Sequence, residues 1–103
     1  MDNKVSIRTA LLAALLSGEG YGLELADRVS TRTKGQVLLT SGSLYPTLRA
    51  MEEEGLLSSR EEPDPERGGR PRRIYKLTGE GQRRALDERT IVLGLFDYIP
   101  ERA

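Results

Sequence analysis

Neither cysteine, histidine nor tryptophan occurs among the 103 residues, and phenylalanine occurs once. The first two absences together remove disulfides, thiolate nucleophiles, imidazole bases and most zinc or transition-metal sites. Carboxylates and lysines remain as catalytic groups in principle, but the acids fall on solvated helix faces rather than in facing pairs. The expectation is a protein with no enzyme activity, no cofactor and no metal. Long apolar runs are missing too, and nothing approaches the length needed to span a bilayer. The stretch Ala10 to Leu16 is too short and too poorly flanked for a signal peptide, so a cytoplasmic protein without a membrane partner is expected.

Net charge is the last absence: 16 Lys and Arg balance 16 Asp and Glu. A neutral total weighs against a polyanionic partner. Surface charges are screened beyond roughly 8 Å at physiological salt, however, so local sign matters more than the sum. Arg67, Arg70, Arg72, Arg73 and Lys76 follow one another with no acid after Glu66, whereas acids gather at Glu52–Glu54 and Glu61–Glu62. A chain of this length fits one domain with a modest core, to which a dimer interface would add stability.

What is present reads as an ordered series of elements. Val5 to Leu16 is a helix whose apolar surface is broad enough that part of it, Leu11 and Leu15, is expected against a partner chain. Gly18-Glu19-Gly20 stops it. A second helix runs from about Tyr21 to Thr33 and ends at Lys34-Gly35. Gln36 to Leu39 is short, apolar and unbroken, and is predicted as a brief strand. A third helix begins at Thr40 as cap, with Leu39 and Leu44 as a hydrophobic staple. Leu44, Leu48 and Met51 form its core stripe, and Gly55 ends it. Pro46 falls just past its first turn, where only one or two backbone bonds are affected.

Two strand-like runs follow, Leu56 to Glu62 and Arg72 to Leu77, joined by a Pro- and Gly-rich turn. This predicts a β-hairpin with a long basic tip. Thr78 caps a last helix to about Tyr98, with a first turn weakened by Gly79 and Gly81 and a densely apolar second half.

Helix, helix, short strand, helix, hairpin, helix is the order of a winged helix-turn-helix, an α+β but mostly helical class. Such a fold sets the N-terminal residues of its third helix at base edges in the major groove. Here those are Ser41, Ser43 and Tyr45. Gly42 allows close approach to a sugar-phosphate chain, and Arg49 stands one turn further on for a phosphate. The hairpin tip suits a minor groove or a phosphate clamp. Set against this, serines and glycine also start helices for ordinary capping reasons, Tyr45 could fill a core gap, and charge runs are usually solvated loops.

Three motifs in register resemble the PadR family of bacterial transcriptional regulators. They are Tyr21-Gly22-Leu23-Glu24-Leu25, then Ser43-Leu44-Tyr45-Pro46-Thr47-Leu48 with Met51 to Leu57, then Gly69 to Thr78 with Glu80-Gly81. The resemblance covers Ile7 to about Leu86, with Gly79 standing where the family has a small helix-forming residue. It implies a homodimer on double-stranded DNA, its two recognition helices in successive major grooves of a near-palindromic operator. It also implies that Tyr21, Ser41, Ser43, Tyr45 and the wing arginines face DNA, and that the protein represses rather than activates. Residues 1–78 would form the DNA-binding unit and 79–103 a C-terminal dimerisation helix, in one structural unit. Ala85, Leu86, Val92, Leu93, Phe96 and Ile99 suit the dimer seam. Some relatives hold aromatic or drug-like effectors there, so a small-molecule effector is a further implied partner; Phe96 and Tyr98 are the only aromatics this chain offers it. Two other readings are a winged-helix protein-interaction module, favoured by the neutral charge and Glu52–Glu54, and a small-molecule sensor acting at the dimer seam.

Overall fold

A computed structural model describes residues 5–97. Helix α1 spans Ile7–Leu16, capped by the Ser6 side chain, which accepts from the Thr9 amide. Strand β1 is the two-residue Gly20–Tyr21. Helix α2 covers Gly22–Arg32 and α3 covers Ser41–Glu53. Strands β2 (Leu57–Pro63) and β3 (Pro71–Leu77) form the wing, and α4 runs over Gly79–Leu95. The sheet is antiparallel, ordered β1-β3-β2. The winged helix-turn-helix expected from the sequence is therefore the fold.

One element differs. Gln36 to Leu39 is not a strand, and Val37 is instead buried in irregular backbone as part of the core. The third strand comes from Gly20–Tyr21, which pairs with Tyr75 and Ile74. The free edge of β3 is thus satisfied by the residues that end the α1 turn.

The core lies where α1, α2 and α3 meet the wing base. Leu11, Leu25, Leu44, Leu48 and Met51 have no exposed surface, and each such side chain contributes about 1.5–3 kcal/mol by leaving water. The helix ends explain themselves locally. Gly18 takes φ +138° after α1, and Lys34 and Gly35 take positive φ after α2. After α3 the Leu56 amide donates to the Met51 carbonyl and the Gly55 amide to the Glu52 carbonyl, a Schellman closure with Met51 and Leu56 both buried.

Helix α4 docks onto the body through its first half, where Ala85 is buried and Glu88 accepts from the Thr9 hydroxyl at 2.9 Å. The Thr78 hydroxyl accepts from the Gly81 amide at 3.0 Å and donates to the Gly55 carbonyl at 2.6 Å. A Cβ on Gly81 would run into the Leu56 carbonyl. The sequence reading treats Gly81 as a weak helix start; in the fold it is what lets α4 lie against the β2 entry.

Candidate nucleic-acid interface

The inner stripe of α3 is locked by Leu44, Leu48 and Met51, and this orients the outer face. Ser41, Gly42, Tyr45 and Arg49 are exposed there, and Pro46 is carried inside the helix without ending it. Thr40 occupies the cap position, but its side chain accepts no amide; its hydroxyl instead pairs with Ser43 Oγ at 3.2 Å. Ser43 also donates to the Thr40 carbonyl at 3.1 Å, so its hydroxyl is turned back into the helix start. Thr47 donates to the Ser43 carbonyl at 2.7 Å, one turn along.

Tyr45 is neither a core residue nor wholly free. It is 41% exposed, yet its ring lies over the backbone of Gly22, where a Cβ would sit 2.6 Å from the ring. The Tyr21-Gly22 pair and the Ser-Leu-Tyr run are therefore two halves of one contact, with glycine at the start of α2 giving room for the α3 tyrosine. Tyr21 itself is half-buried and caps α2, its amide donating to Glu24 Oε1 at 3.3 Å.

The wing pairs from Leu57 opposite Leu77 to Pro63 opposite Pro71. Because successive strand residues face opposite ways, this register sorts the basic run onto two sides of the sheet. Arg73 and Tyr75 share a side with Ser59 and Glu61, and with Tyr45, Arg49 and Glu52 they line a cleft against α3. There Arg73 donates to Ser59 at 3.0 Å and pairs with Glu61 at 2.8 Å, while Ser59 donates to Glu52 at 2.7 Å. Burial pushes the Tyr75 hydroxyl's pKa upward, so it stays a neutral group. The other side carries Tyr21, Arg60, Arg72, Ile74 and Lys76. Arg60 forms a fork on Glu19, whose carboxyl its hydrogen bonds hold below the usual range.

The five basic residues singled out in the sequence are consequently not equivalent. Arg72 and Arg73 are engaged within the wing. Lys76 lines a groove with Glu19, Leu77 and Gln82, on the side of β3 opposite Tyr45 and Arg49. Arg67 and Arg70 stand at the exposed tip, where Arg70 Nε donates to the Arg67 carbonyl at 3.2 Å. Among the described residues Arg49, Arg67, Arg70 and Lys76 form no ion pair. The tip is a closed turn rather than a loose loop. Asp64 caps a short 3-10 turn over Pro65–Arg67, and Gly68 and Gly69 take the positive φ values that reverse the chain.

The transcriptional regulator PadR-like family matches residues 11–87, most of the chain, from within α1 to the middle of α4. The chain belongs to the PadR-like family. Solved PadR-like structures share its fold. A PadR-like transcription factor from Bacteroides fragilis is 22% identical, over 88% of this chain and 84% of the other, with a TM-score of 0.74. A PadR family regulator from Clostridium difficile is 25% identical over 88% and 91%, with a TM-score of 0.73. Bacillus subtilis PadR, solved in complex with operator DNA, is 21% identical over 93% of this chain, which spans half of that one, with a TM-score of 0.69. Among curated proteins no match is found.

In this PadR-like chain the residues expected at a dimer seam separate into two groups. Leu11, Leu15 and Ala85 are buried within the chain's own core, so they have no surface to offer a partner. That expectation is corrected: a stripe of apolar residues looks the same in sequence whether its own chain or another covers it. Leu86, Val92, Leu93 and Phe96 are exposed, joined by Ile91 and Leu95, which the sequence reading did not single out. Ile99 lies outside the described residues. Thr9, Leu12, Ala13, Leu16, Val92 and Leu93 border an apolar groove of about 330 Å³ between α1 and α4. No helix among the described residues is long and apolar enough to cross a membrane.

Proposed function

We propose that the chain binds double-stranded DNA as a homodimer at a near-palindromic operator and represses transcription in the cytoplasm. What carries this reading is the outer face of α3, where Ser41, Gly42, Tyr45 and Arg49 are exposed on a helix whose opposite face is fully buried. A rigid helix with a hydroxyl-rich, glycine-containing start suits base edges and phosphates in a major groove. The unpaired Arg67 and Arg70 at the wing tip supply the adjoining backbone or minor-groove contact. Bacillus subtilis PadR, which has this fold, was solved in complex with operator DNA, and this supports a DNA-binding role here.

Dimerisation rests on the second half of α4. Ile91, Leu95 and Phe96 are 62%, 74% and 77% exposed, a contiguous apolar end with nothing among the described residues to cover it. A second copy's helix seated in the groove between α1 and α4 would remove both surfaces from water. Residues 1–78 then act as the DNA-binding unit and 79–103 as the dimerisation helix. The groove's apolar lining is also what a planar effector would need, and such a ligand would compete with or wedge into the seam.

Selection of bound fragments from a random duplex library, followed by sequencing, tests the reading. The expected product is a paired site with half-sites about one helical turn (~10 bp) apart. A protein that stays monomeric when mixed with duplex, or that enriches no sequence, would refute it.

A further inference from the structure

Asp64 is the one buried polar or charged residue among those described, at 5% exposure. Its place at a wing tip is unexpected, since burying a carboxylate is costly unless it is paired and hydrogen-bonded. Each of its polar groups is used. Oδ1 accepts from the Glu66 amide at 3.1 Å, the carbonyl accepts from the Arg67 and Gly69 amides at 3.0 and 2.9 Å, and the amide donates to the Arg70 carbonyl at 3.2 Å. Oδ2 faces Arg72 Nη1 at 3.4 Å. Arg72 continues inward, with its guanidinium carbon 4.1 Å from the centre of the Tyr21 ring and its Nε buried without a partner.

Tyr21 pairs directly with Ile74, so Arg72 is its diagonal neighbour across the β1–β3 ladder, at a spacing where aromatic and long side chains reach each other. Tyr21 is also the residue that caps α2 and precedes Gly22, on which the Tyr45 ring rests. A continuous line of contacts therefore runs from the wing tip through Asp64, Arg72 and Tyr21 to the start of α2 and the outer face of α3. Arg72 sits in its middle, on the sheet side opposite the cleft that holds Tyr45 and Arg49.

We propose that Asp64, Arg72 and Tyr21 form a positioning strut that sets where the wing tip stands relative to α3, so that Arg72 places Arg67 and Arg70 and does not itself bind phosphate. This rests on the DNA-binding reading above for its consequence, though not for its existence. It also reverses the part that a basic run suggests for Arg72. Charge alone and the strut give opposite signs for one substitution. Asp64→Asn keeps the acceptor for the Glu66 amide and removes a negative charge from a DNA-facing hairpin. If charge were all that mattered, binding to duplex would tighten.

The test uses the full chain and a mixed-sequence 30-base-pair duplex, with amide hydrogen exchange of the free protein measured alongside. The strut predicts that Asp64→Asn weakens binding by about threefold, within the range of a partly exposed ion pair. Arg72→Lys, which keeps the charge but loses the stacked fork, weakens it comparably. In the free protein the Asp64 and Gly69 amides exchange faster in Asp64→Asn, Arg72→Lys and Tyr21→Leu. Arg67→Gln is the contrast, since its side chain makes no bond that holds the tip among the described residues: it leaves exchange alone and lowers the salt slope by about one unit. Tighter duplex binding by Asp64→Asn, or unchanged exchange at Asp64 and Gly69 in all three variants, overturns the proposal. If the unaltered protein binds no duplex at all, the DNA-binding reading falls, and the exchange data still decide the strut in the free protein.

Discussion

The two halves of α4 are built for different neighbours. The first half is fastened to the body by Thr78, by the close approach at Gly81 and by buried Ala85. The second half leaves Ile91, Leu93, Leu95 and Phe96 open to water. In α3 the division runs between faces instead of ends, with Leu44, Leu48 and Met51 inward and Tyr45 and Arg49 outward. In each helix the docked surface fixes the direction in which the open one points. Stability and binding should therefore respond to different substitutions.

The sharpest way to break that division is at Gly81. Gly81→Ala would normally favour a helix by up to about 1 kcal/mol. Here the added methyl meets the Leu56 carbonyl, a backbone atom that cannot rotate aside. We expect a net loss of about 3 kcal/mol in thermal unfolding; an unchanged or raised midpoint would show that α4 is not tightly seated at its start. The double variant L95E/F96E probes the open half. It should melt cooperatively but sediment as a monomer, with operator affinity reduced about 100-fold by loss of the second half-site. A dimer surviving both charges would move the interface elsewhere.

Along α3, Tyr45→Phe removes a hydroxyl and leaves the ring over Gly22. Operator binding should weaken by about 1–3 kcal/mol while the melting midpoint holds. A fall in midpoint with affinity intact would make Tyr45 a packing residue. The smallest effect concerns Arg8, which forks onto Glu54 at 2.8 and 2.6 Å and ties α1 to the end of α3. These hydrogen bonds hold the Glu54 carboxyl below its ordinary 4.5. Its contribution is complete at neutral pH and fades as acid takes the medium below 4.5 and through the lowered value. Arg8→Met should therefore make unfolding slightly less steep in pH over that acid range, measured by denaturant titration; an identical profile would mean that the pair adds nothing.

Much of this was legible beforehand because it is written in local chemistry. Helix stops at Gly18, Lys34-Gly35 and Gly55, the stripe Leu44-Leu48-Met51 and the Thr78 cap all act within a few residues of themselves. What escaped depends on pairing. Gln36 to Leu39 has strand-like composition, but a strand needs an edge, and Gly20–Tyr21 takes the edge of β3. The basic run could not be divided into tip and strut until the β2–β3 register was known. Leu11, Leu15 and Ala85 announced burial without saying against what. Gly22 and Gly81 matter through atoms far away in sequence, which neither a motif letter nor a helix propensity reveals.

The far end of α1 is finished in an unusual way. Arg28 donates to the carbonyls of Ala14, Gly18 and Glu19, and Arg32 to the carbonyl of Ala13 and the hydroxyl of Ser17. The Ser17 and Gly18 amides close the last turn in the ordinary way, and cations borne on the next helix add a second set of bonds to its end and to the turn after it. Each segment steadies the other: the two guanidinium groups of α2 add bonds to the end of α1 and its following turn, and those carbonyls are in place for them only once α1 is wound. The pair should consequently form and melt as one cooperative block, and a fragment ending before Arg28 should hold little helix in isolation.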